Sequence, residues 1–243
     1  MKILAVIPAY NEQDNLLRTL SDLREHCPEI DPLVVNDCST DGTPELLRKY
    51  DIPHLDLASN LGIGGAVQAG YLYARLRGYD IAVQFDGDGQ HDAAYLEKLL
   101  APVIGGDADI AIGSRFVEKE GFQSSGARRA GIGFLSRLIR LLCGLRVRDV
   151  TSGMRAVNRR FIAEYAGHYP QDYPEPEAIL YAGLRGGRVA EVPVKMRERE
   201  RGKSSISPLG SVYYMIKVSL ALLMGRISCG RAERRRGGEG GRP

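Results

Sequence analysis

The sequence has few of the features that mark secreted proteins and structural zinc sites. Its four cysteines, Cys27, Cys38, Cys143 and Cys229, are far apart and form no CxxC pair, so neither a disulfide framework nor a zinc site is predicted. The first residues, MKILAVIPAYNE, contain one lysine and a short apolar run, and they lack the h-region and cleavage site of a signal peptide. Reduced thiols in a cytosolic protein that begins with a β-strand are therefore expected.

Three common catalytic or nucleotide-binding motifs are also missing. In LGIGGAV, Val67 stands where the dinucleotide-binding motif GxGxxG requires its third glycine. The stretch that ends in Gly202-Lys203-Ser204 has Arg197 at the position of the first glycine of a Walker A loop. No GxSxG nucleophile elbow occurs, and the four histidines lie near no suitable nucleophile. These absences exclude a Rossmann dehydrogenase, a P-loop NTPase and a serine hydrolase, and the histidines are expected to be surface or hydrogen-bonded residues.

What is present is the composition of a globular domain with an uneven charge distribution. The chain has 243 residues, of which 44% are hydrophobic and 26% charged, enough for one full-sized α/β domain. The net charge is −10 over residues 1–120 and +8 over residues 121–160. This asymmetry indicates a cation site in the first part and an anionic surface or phosphate as the ligand of the second, with solvated surface charge as the alternative.

Apolar strand-like runs alternate with helical patterns over the first 120 residues, which predicts an α/β fold with a mostly parallel sheet and flanking helices. The strands are predicted at 3–8, 33–35, 54–57, 81–85 and 109–112, and the helices at 11–25, 43–49, 64–77 and 92–104. After Arg115 the alternation stops. The sequence shows no linker and no internal repeat, so one catalytic domain is predicted over residues 1–207. A helix that contacts a membrane or partner (208–227) and a disordered basic tail (228–243) are predicted to follow it.

The strongest local pattern is FDGDGQH, residues 85–91, which directly follows the apolar strand IAVQ. The period of two places the carboxylates of Asp86 and Asp88 on one side as the chain leaves the sheet, and Gln90 comes next. Such oxygen ligands suit Mg²⁺ or Mn²⁺ bound together with substrate phosphates. Ligands of open α/β sheets bind at the carboxyl ends of strands. An Asp/Gly turn without a ligand is the alternative.

Six segments in order resemble the motif set of family 2 glycosyltransferases: IPAYNE (7–12), VNDCSTDGT (35–43), NLGIGGAVQAG (60–70), FDGDGQH (85–91), GSR (113–115) and DVTSGMRA (149–156). The resemblance covers about residues 3–205. It implies a GT-A fold, a nucleotide-sugar donor, a divalent metal at the Asp-x-Asp motif and inversion at the anomeric carbon. Within the family the chain is most similar to dolichol-phosphate-mannose-synthase-like members. Segments 172–177 and 196–205 also resemble small bacterial members that load a sugar, often N-acetylglucosamine, onto undecaprenyl phosphate with a small membrane protein as partner.

The resemblance also implies roles for individual residues. Asp37 would accept a hydrogen bond from a uracil N–H, although Asn36 stands where the family has a second aspartate. Gly62, Gly64 and Gly65 either let phosphates approach the backbone at a helix start or serve packing. Arg115 would add a second positive group beside the diphosphate. The nucleotide-sugar set is thus Pro8, Ala9, Tyr10, Glu12, Asp37, Gly64, Asp86 and Arg115, with Asp86, Asp88 and Gln90 as the metal ligands and Asp88 also as a catalytic residue.

The acceptor could be a hydroxyl or a phosphate. A hydroxyl needs a general base, for which Asp149 and Glu177 are the candidates; Asp149 could instead orient Arg155 or Ser152. A phosphate monoester is already anionic near neutral pH and needs cations more than a base. The residues expected to bind an acceptor phosphate are Arg128, Arg129, Ser152, Arg201 and Lys203. Residues 169–177 are rich in proline and are expected to form a loop near the site.

Two helical patterns indicate a membrane surface. The apolar residues of segment 132–145 fall on one half of a helical wheel opposite Arg137 and Arg140, which is typical of a membrane-surface helix or of an ordinary core-facing one. Segment 212–224 is apolar nearly all round but too short to span a bilayer. It must be covered by the bilayer, a partner or another copy of the chain. No aromatic platform accompanies the arginines, so nucleic-acid binding is not expected.

The sequence therefore predicts a peripheral enzyme on the cytoplasmic face of the membrane that transfers a sugar from a UDP-sugar to a polyprenyl (undecaprenyl) phosphate, with Mg²⁺ or Mn²⁺. N-acetylglucosamine and glucose are the favoured sugars. The alternative within enzymes is transfer to a hydroxyl of a growing cell-surface polysaccharide. A binding protein without turnover is disfavoured, because Asp86, Asp88, Arg115 and segment 201–205 are all present.

Overall fold

The residues that the structure describes form a mostly parallel sheet of seven strands. The computed structural model describes residues 1–118, 126–197 and 208–239. The strand order is β3-β2-β1-β4-β6-β5-β7, and only β6 runs antiparallel to its neighbours. The strands are β1 (Ile3–Ala9), β2 (Asp31–Asn36), β3 (His54–Asp56), β4 (Ile81–Gln84), β5 (Ile110–Ser114), β6 (Arg155–Asn158) and β7 (Val189–Pro193). The predicted α/β class with a mostly parallel sheet is confirmed.

Helices cover both faces of the sheet. They are α1 (Leu16–His26), α2 (Thr43–Lys49), α3 (Gly62–Leu76), α4 (Leu96–Ile104), α5 (Gly126–Cys143), α6 (Arg159–Gly167), α7 (Pro174–Leu184) and α8 (Pro208–Glu239). Along β1, Leu4 and Val6 enter one hydrophobic cluster while Ala5 and Ile7 enter the other. This alternation shows that the two faces of the sheet carry separate cores.

One predicted helix cap and one predicted loop differ from the structure. Asn11, the predicted N-cap of the first helix, has a left-handed φ of 58°, and helix α1 begins only at Leu16, with Asn15 at the cap position. Residues 169–177 are only partly a loop, because α7 starts at Pro174. Proline is accepted in the first helical turn, where its missing N–H would have no helical partner.

The two segments with membrane-like patterns pack partly against the protein itself. Ile132 and Ile139 of α5 are buried in the same core as Val218 and Leu222 of α8, so part of the apolar face of α5 packs against the core, as the core-facing alternative predicts. Helix α8 also continues to Glu239, past the predicted end at residue 227. Among the described residues, no helix is both long enough and apolar enough to cross a membrane.

Candidate functional site

The carboxyl ends of β1, β2 and β4 meet at one edge of the sheet and collect the predicted donor residues there. Parallel pairing places Ala9 beside Asn36 and Val6 beside Gln84. The N–H of Asp37 donates to the Ala9 carbonyl over 2.9 Å. Because ligands of open α/β sheets bind outside these strand ends, the same edge is where a nucleotide sugar is expected.

Asp37 is a buried carboxylate at this edge. Its Oδ1 accepts the N–H of Leu61 over 2.7 Å, which ties β2 to the start of α3. The neighbouring Asn36 donates through Nδ2 to Asp56 over 2.7 Å and so serves the sheet. Tyr10 is half exposed beside them. The remaining members of the predicted base-binding wall are Pro8 and Ala9, which are buried, and the half-buried Glu12.

Gly64 serves packing in this structure. Its N–H donates to the Gln171 carbonyl over 3.1 Å, and a Cβ on Gly64 would lie 2.1 Å from the carbonyl oxygen of Pro170. The segment before α7 therefore covers the start of α3, and the backbone N–H of Gly64 is already used. The packing alternative is favoured over the predicted contact between Gly64 and the nucleotide sugar.

The substitution Gly64→Ala tests this close approach. The added methyl group would collide with backbone atoms, so we expect the free energy of unfolding to fall by about 1–3 kcal/mol. Gly133→Ala in α5 is the matched control, because nothing lies within 4 Å of a Cβ there and alanine should stabilise the helix by about 1 kcal/mol. Urea unfolding measures both, and equal effects of the two substitutions would contradict the packing role.

The loop after β4 holds Asp86, Asp88 and Gln90 as predicted. The carboxylate of Asp86 is 29% exposed and accepts from Nε2 of Gln84 over 3.0 Å. Asp88 Oδ1 accepts the backbone N–H of Gln90 over 3.0 Å. The positive φ of Gly89, 77°, allows this turn, which is strained for residues with a Cβ. The loop is thus an Asp/Gly turn that also carries the carboxylates of the metal hypothesis, so the two interpretations are compatible.

A network of ion pairs and hydrogen bonds around Arg197 holds the loop after β4 at Gln90. Its guanidinium donates to Asp22 Oδ2 over 3.0 Å and to Asp92 Oδ1 over 2.8 Å. The N–H of Arg197 donates to the Gln90 carbonyl over 2.9 Å. A double ion pair of this kind holds a loop more firmly than a single surface contact. This network was not predictable from the sequence, because the three residues come from distant parts of the chain.

The donor set of the loop fits Mg²⁺ or Mn²⁺ that is shared with a substrate. Among the described residues, no group of three or more histidine, cysteine or acidic side chains could hold a metal alone. Mg²⁺ commonly takes only one or two carboxylates and completes its shell with phosphates and water. Asp86 and Asp88, with the amide oxygen of Gln90, provide that kind of partial shell at the expected strand end.

Arg115 and Asp149 form a buried ion pair. Arg115 Nε donates to Asp149 Oδ2 and Nη2 donates to Oδ1, each over 2.7 Å, and the side chains are only 11% and 0% exposed. The backbone N–H of Arg115 and the side chain of Thr151 also contact this carboxylate. Both oxygens of this buried carboxylate are engaged, and the backbone carbonyl of Asp149 also accepts the N–H of Ser152 over 3.5 Å. These contacts agree with the alternative in which Asp149 orients other residues, with Arg115 as its side-chain partner and Ser152 as a backbone partner. The role of Asp149 as a general base stays a prediction.

Arg155 is buried behind the site and donates to three backbone carbonyls. Its Nε bonds to the carbonyl of Ser152 over 2.8 Å and its Nη1 to the carbonyl of Glu175 over 2.9 Å. The third acceptor is the Val150 carbonyl, 3.4 Å from Nη2. The Ser152 hydroxyl is buried and has no hydrogen-bond partner among the described residues. Ser152 is thus buried in this structure, and its contact with an acceptor phosphate stays a prediction.

The first turn of α7 carries two glutamates with altered acidity. Burial raises the pKa of Glu175, while nearby Arg155 counteracts the shift. Burial and the charge of Asp172 raise the pKa of Glu177. The charge of Asp86 adds to the rise in the pKa of Glu175. Glu175 was not among the predicted site residues. The signal that points to it is the Glu-Pro-Glu spacing, which puts the two carboxylates on different sides of a helical turn.

Helix α8 is fastened to the segment that precedes α7. The ring of Tyr214 packs edge-on against Tyr173 with 4.7 Å between centroids. Lys217 forms an ion pair with Asp172 and lies 5.4 Å from the centre of the Tyr173 ring. We call these four residues the α7–α8 clasp. Through it, α8 contacts the segment whose residues Pro170 and Gln171 cover the start of α3.

The predicted acceptor cations are only partly placed. Arg128 and Arg129 are exposed in the first turn of α5, and Arg128 is close enough to Tyr214 to influence its acidity. Arg201 and Lys203 lie outside the described residues. The start of α5 and the start of α8 are thus near each other on the side of the fold where the clasp lies.

Comparison with known proteins identifies the family. Residues 4–166 match Glycosyl transferase family 2. The chain is 35% identical to an undecaprenyl-phosphate mannosyltransferase from Micrococcus luteus, over 85% of this chain and 88% of that protein. It is 32% identical to a polyprenol monophosphomannose synthase from Mycolicibacterium smegmatis, over 95% of this chain and 90% of that protein.

The fold agrees with a solved structure of a glycosyltransferase. This is a glucosyl-3-phosphoglycerate synthase from Mycobacterium tuberculosis in complex with Mn²⁺, UDP and glucosyl-3-phosphoglycerate, with a TM-score of 0.66, 20% identity and coverage of 94% of this chain and 80% of that one. The predicted GT-A fold is confirmed. Since the family match spans more than half of the chain and two relatives exceed 30% identity over most of their length, the chain belongs to glycosyl transferase family 2.

Proposed function

We propose that the protein transfers a sugar from a nucleoside-diphosphate sugar to a polyprenyl phosphate. The observation that carries the proposal is the nearly full-length similarity to two enzymes named for polyprenyl-phosphate sugar transfer. The site is compatible with it: acidic residues lie at the carboxyl edge of the sheet, and exposed arginines begin α5. Inversion at the anomeric carbon and a position on the cytoplasmic membrane face belong to the same proposal.

The identity of the donor is a finer part of the proposal. The sequence favours UDP with N-acetylglucosamine or glucose, whereas both relatives are named for mannose. We therefore include mannose as the sugar that similarity favours. A buried carboxylate such as Asp37 can accept from an N–H of uracil or of guanine, so the base must be tested together with the sugar.

The residues of the site divide the chemistry between them. A divalent cation bound at Asp86, Asp88 and Gln90 would offset the negative charge that grows on the departing nucleoside diphosphate. Arg115, held by Asp149, keeps a second positive charge in a fixed direction near the same strand ends. Asp37 and the residues from Pro8 to Glu12 would hold the base and ribose, which positions the anomeric carbon for attack.

Radiolabelled donors provide the direct test of this function. The full-length protein is incubated with undecaprenyl phosphate and, in turn, with UDP-N-acetylglucosamine, UDP-glucose and GDP-mannose, and the products are extracted into organic solvent. We expect label in the organic phase with one of the three donors. Label that appears only in a water-soluble polysaccharide would support the hydroxyl alternative and overturn the proposed acceptor.

The acceptor phosphate should make a general base unnecessary. Its second pKa is near 6, so the phosphate oxygen is already a nucleophile, and we expect Glu177→Gln to reduce kcat by less than about tenfold. A true general base contributes at least about 10²-fold.

Arg128→Ala should instead raise the KM for polyprenyl phosphate about tenfold, because a charged hydrogen bond is worth about 1.5–3 kcal/mol. Steady-state kinetics with both substrates varied separates the two effects.

We also propose that α5 and α8 present a membrane-facing surface. The two helices run in the same direction: a Cβ at Gly131 would lie 3.0 Å from Met215, and Cys143 is within electrostatic range of Arg226. The exposed apolar side chains of this surface are Phe134, Leu141, Tyr213, Ile216, Leu220, Leu223, Met224 and Ile227. Exposed arginines border them, at Arg137, Arg140 and Arg226. Apolar residues with a basic border are typical of a helix at an anionic membrane surface.

The double substitution Leu220→Ser, Leu223→Ser tests this surface without disturbing the core. Both leucines are exposed, so folding should be unchanged, while the loss of apolar contact should weaken binding to anionic vesicles at least tenfold. Leu76→Ser is the matched control, because Leu76 is exposed at the end of α3. Co-sedimentation measures binding, and unchanged sedimentation would assign the surface to a partner protein or a second copy. Removal of everything after Ser207 is a poorer test, because Val218 and Leu222 are core residues.

A further inference from the structure

The carboxylate of Asp86 is enclosed on three sides by residues that are not metal ligands. Nε2 of Gln84 donates to Oδ1 over 3.0 Å. Nε2 of His91 lies 3.4 Å from Oδ2. On the third side is Gly153, where a Cβ would lie 2.8 Å from Oδ2. The Asp86 side chain therefore has little freedom to rotate within its loop.

The geometry of His91 defines which ring nitrogen carries the proton. His91 Nδ1 accepts the backbone N–H of Asp86 over 2.9 Å, so in the neutral ring the proton must be on Nε2. Nε2 is the nitrogen that faces the Asp86 carboxylate. The ring is 4% exposed and packs against Phe85 with 5.6 Å between centroids, which prevents it from turning. His91 thus holds the backbone of Asp86 by a hydrogen bond, and its second nitrogen lies beside the carboxylate at ion-pair distance.

We propose that His91 is a positioning residue that aims the Asp86 carboxylate at the divalent cation. This inference rests on the metal site of the proposed function. A carboxylate has about four lone-pair directions, and His91 and Gln84 each approach one oxygen, so the directions that point away from them stay available for the cation. Hydrogen bonds from surrounding residues to a ligating carboxylate commonly set metal affinity by 10- to 100-fold.

Two substitutions separate the two contacts of the imidazole. His91→Asn keeps an acceptor near the position of Nδ1 and removes the donor toward the Asp86 carboxylate. His91→Gln places an amide N–H near the position of Nε2 and removes the acceptor for the backbone N–H. If the donor aims the carboxylate, His91→Asn should weaken metal binding about 10- to 100-fold, and His91→Gln should restore most of the affinity.

Metal binding is measured directly on the full-length protein by the electron paramagnetic resonance signal of free Mn²⁺, with and without UDP. Urea unfolding is recorded for each variant, because a merely structural histidine would change unfolding and leave the Asn and Gln variants alike in Mn²⁺ affinity. His168→Asn is the control, since His168 is exposed at the end of α6. Gln84→Met, which removes the donor on the Oδ1 side, provides a further weakened variant should the His91 variants fold poorly.

Asp88→Asn distinguishes a failure of this inference from a failure of the metal site. If Asp88→Asn leaves Mn²⁺ affinity unchanged, the metal assignment is wrong and the role of His91 falls with it. If Asp88→Asn weakens Mn²⁺ binding, the metal assignment stands and two outcomes would overturn the positioning role alone. One is that His91→Asn binds Mn²⁺ like the wild type. The other is that His91→Gln binds Mn²⁺ as weakly as His91→Asn. Should both His91 variants unfold, wild-type affinity in a folded Gln84→Met variant would overturn the aiming of Asp86 by its neighbours.

Discussion

Asp88→Asn is expected to lower kcat by about 10³-fold or more. The substitution removes one charged ligand of a cation that stabilises the departing diphosphate by several kcal/mol, and each 1.36 kcal/mol corresponds to a factor of ten in rate. EDTA should abolish the activity of the wild type in the same way, and Mg²⁺ or Mn²⁺ should restore it. Single-turnover transfer of labelled sugar measures both effects.

The control for this prediction is another aspartate in a turn. Asp107 is exposed in the turn between α4 and β5, so Asp107→Asn should change kcat by less than twofold, as is usual for surface substitutions. Full activity in EDTA, with metal-free buffers verified, would exclude the metal assignment. Loss of activity that added metal does not restore would indicate that EDTA had damaged the fold.

Asp149→Asn is expected to lower the free energy of unfolding by about 3–5 kcal/mol. The aspartate is fully buried and its partner Arg115 nearly so, and removal of one member of a buried ion pair leaves the other charge without compensation. Because Arg115 would also lose its fixed direction, donor turnover should fall together with stability. Urea unfolding and donor kinetics on the same variant measure the two consequences.

A surface pair provides the comparison for Asp149. Arg48 and Glu45 form an ion pair in which both side chains are largely exposed, and Glu45→Gln should change stability by less than about 1 kcal/mol. If Asp149→Asn lost activity while unfolding at the wild-type urea concentration, Asp149 would act in the chemistry and not as the anchor of Arg115.

The carboxyl edge of the sheet was predictable from the sequence because its parts are local. Short apolar runs that end in polar motifs are enough to infer parallel strands, and parallel strands bring their ends together. Asp37 after β2 and Asp86 after β4 therefore lie at the same edge of the sheet, on either side of β1. The contacts that enclose the Asp86 side chain were not predictable in the same way. His91 belongs to the predicted motif, but Gly153 belongs to a segment that is brought to Asp86 by the pairing of β6 with β4.

The partners of Arg115 and the roles of α5 and α8 could not be predicted from the sequence, for two physical reasons. Asp149 reaches Arg115 across 34 positions of the sequence, and no periodicity reports contacts that tertiary pairing creates. An amphipathic pattern shows that a helix lies at an interface between apolar and polar surroundings, not which apolar surroundings these are. Ile139 meets the core while Leu141, two residues later, faces outward.

The α7–α8 clasp has a consequence for how the enzyme would find its acceptor. Because Tyr214 and Lys217 contact Tyr173 and Asp172, the membrane-facing surface that we propose is joined to the segment that precedes α7. An enzyme held in this way at a bilayer searches in two dimensions, and it meets by lateral diffusion an acceptor that is confined to the same thin layer. Confinement of both molecules raises the effective concentration of the acceptor without any new contact. Turnover would then depend on the surface density of polyprenyl phosphate in the bilayer and hardly on its total amount in the sample.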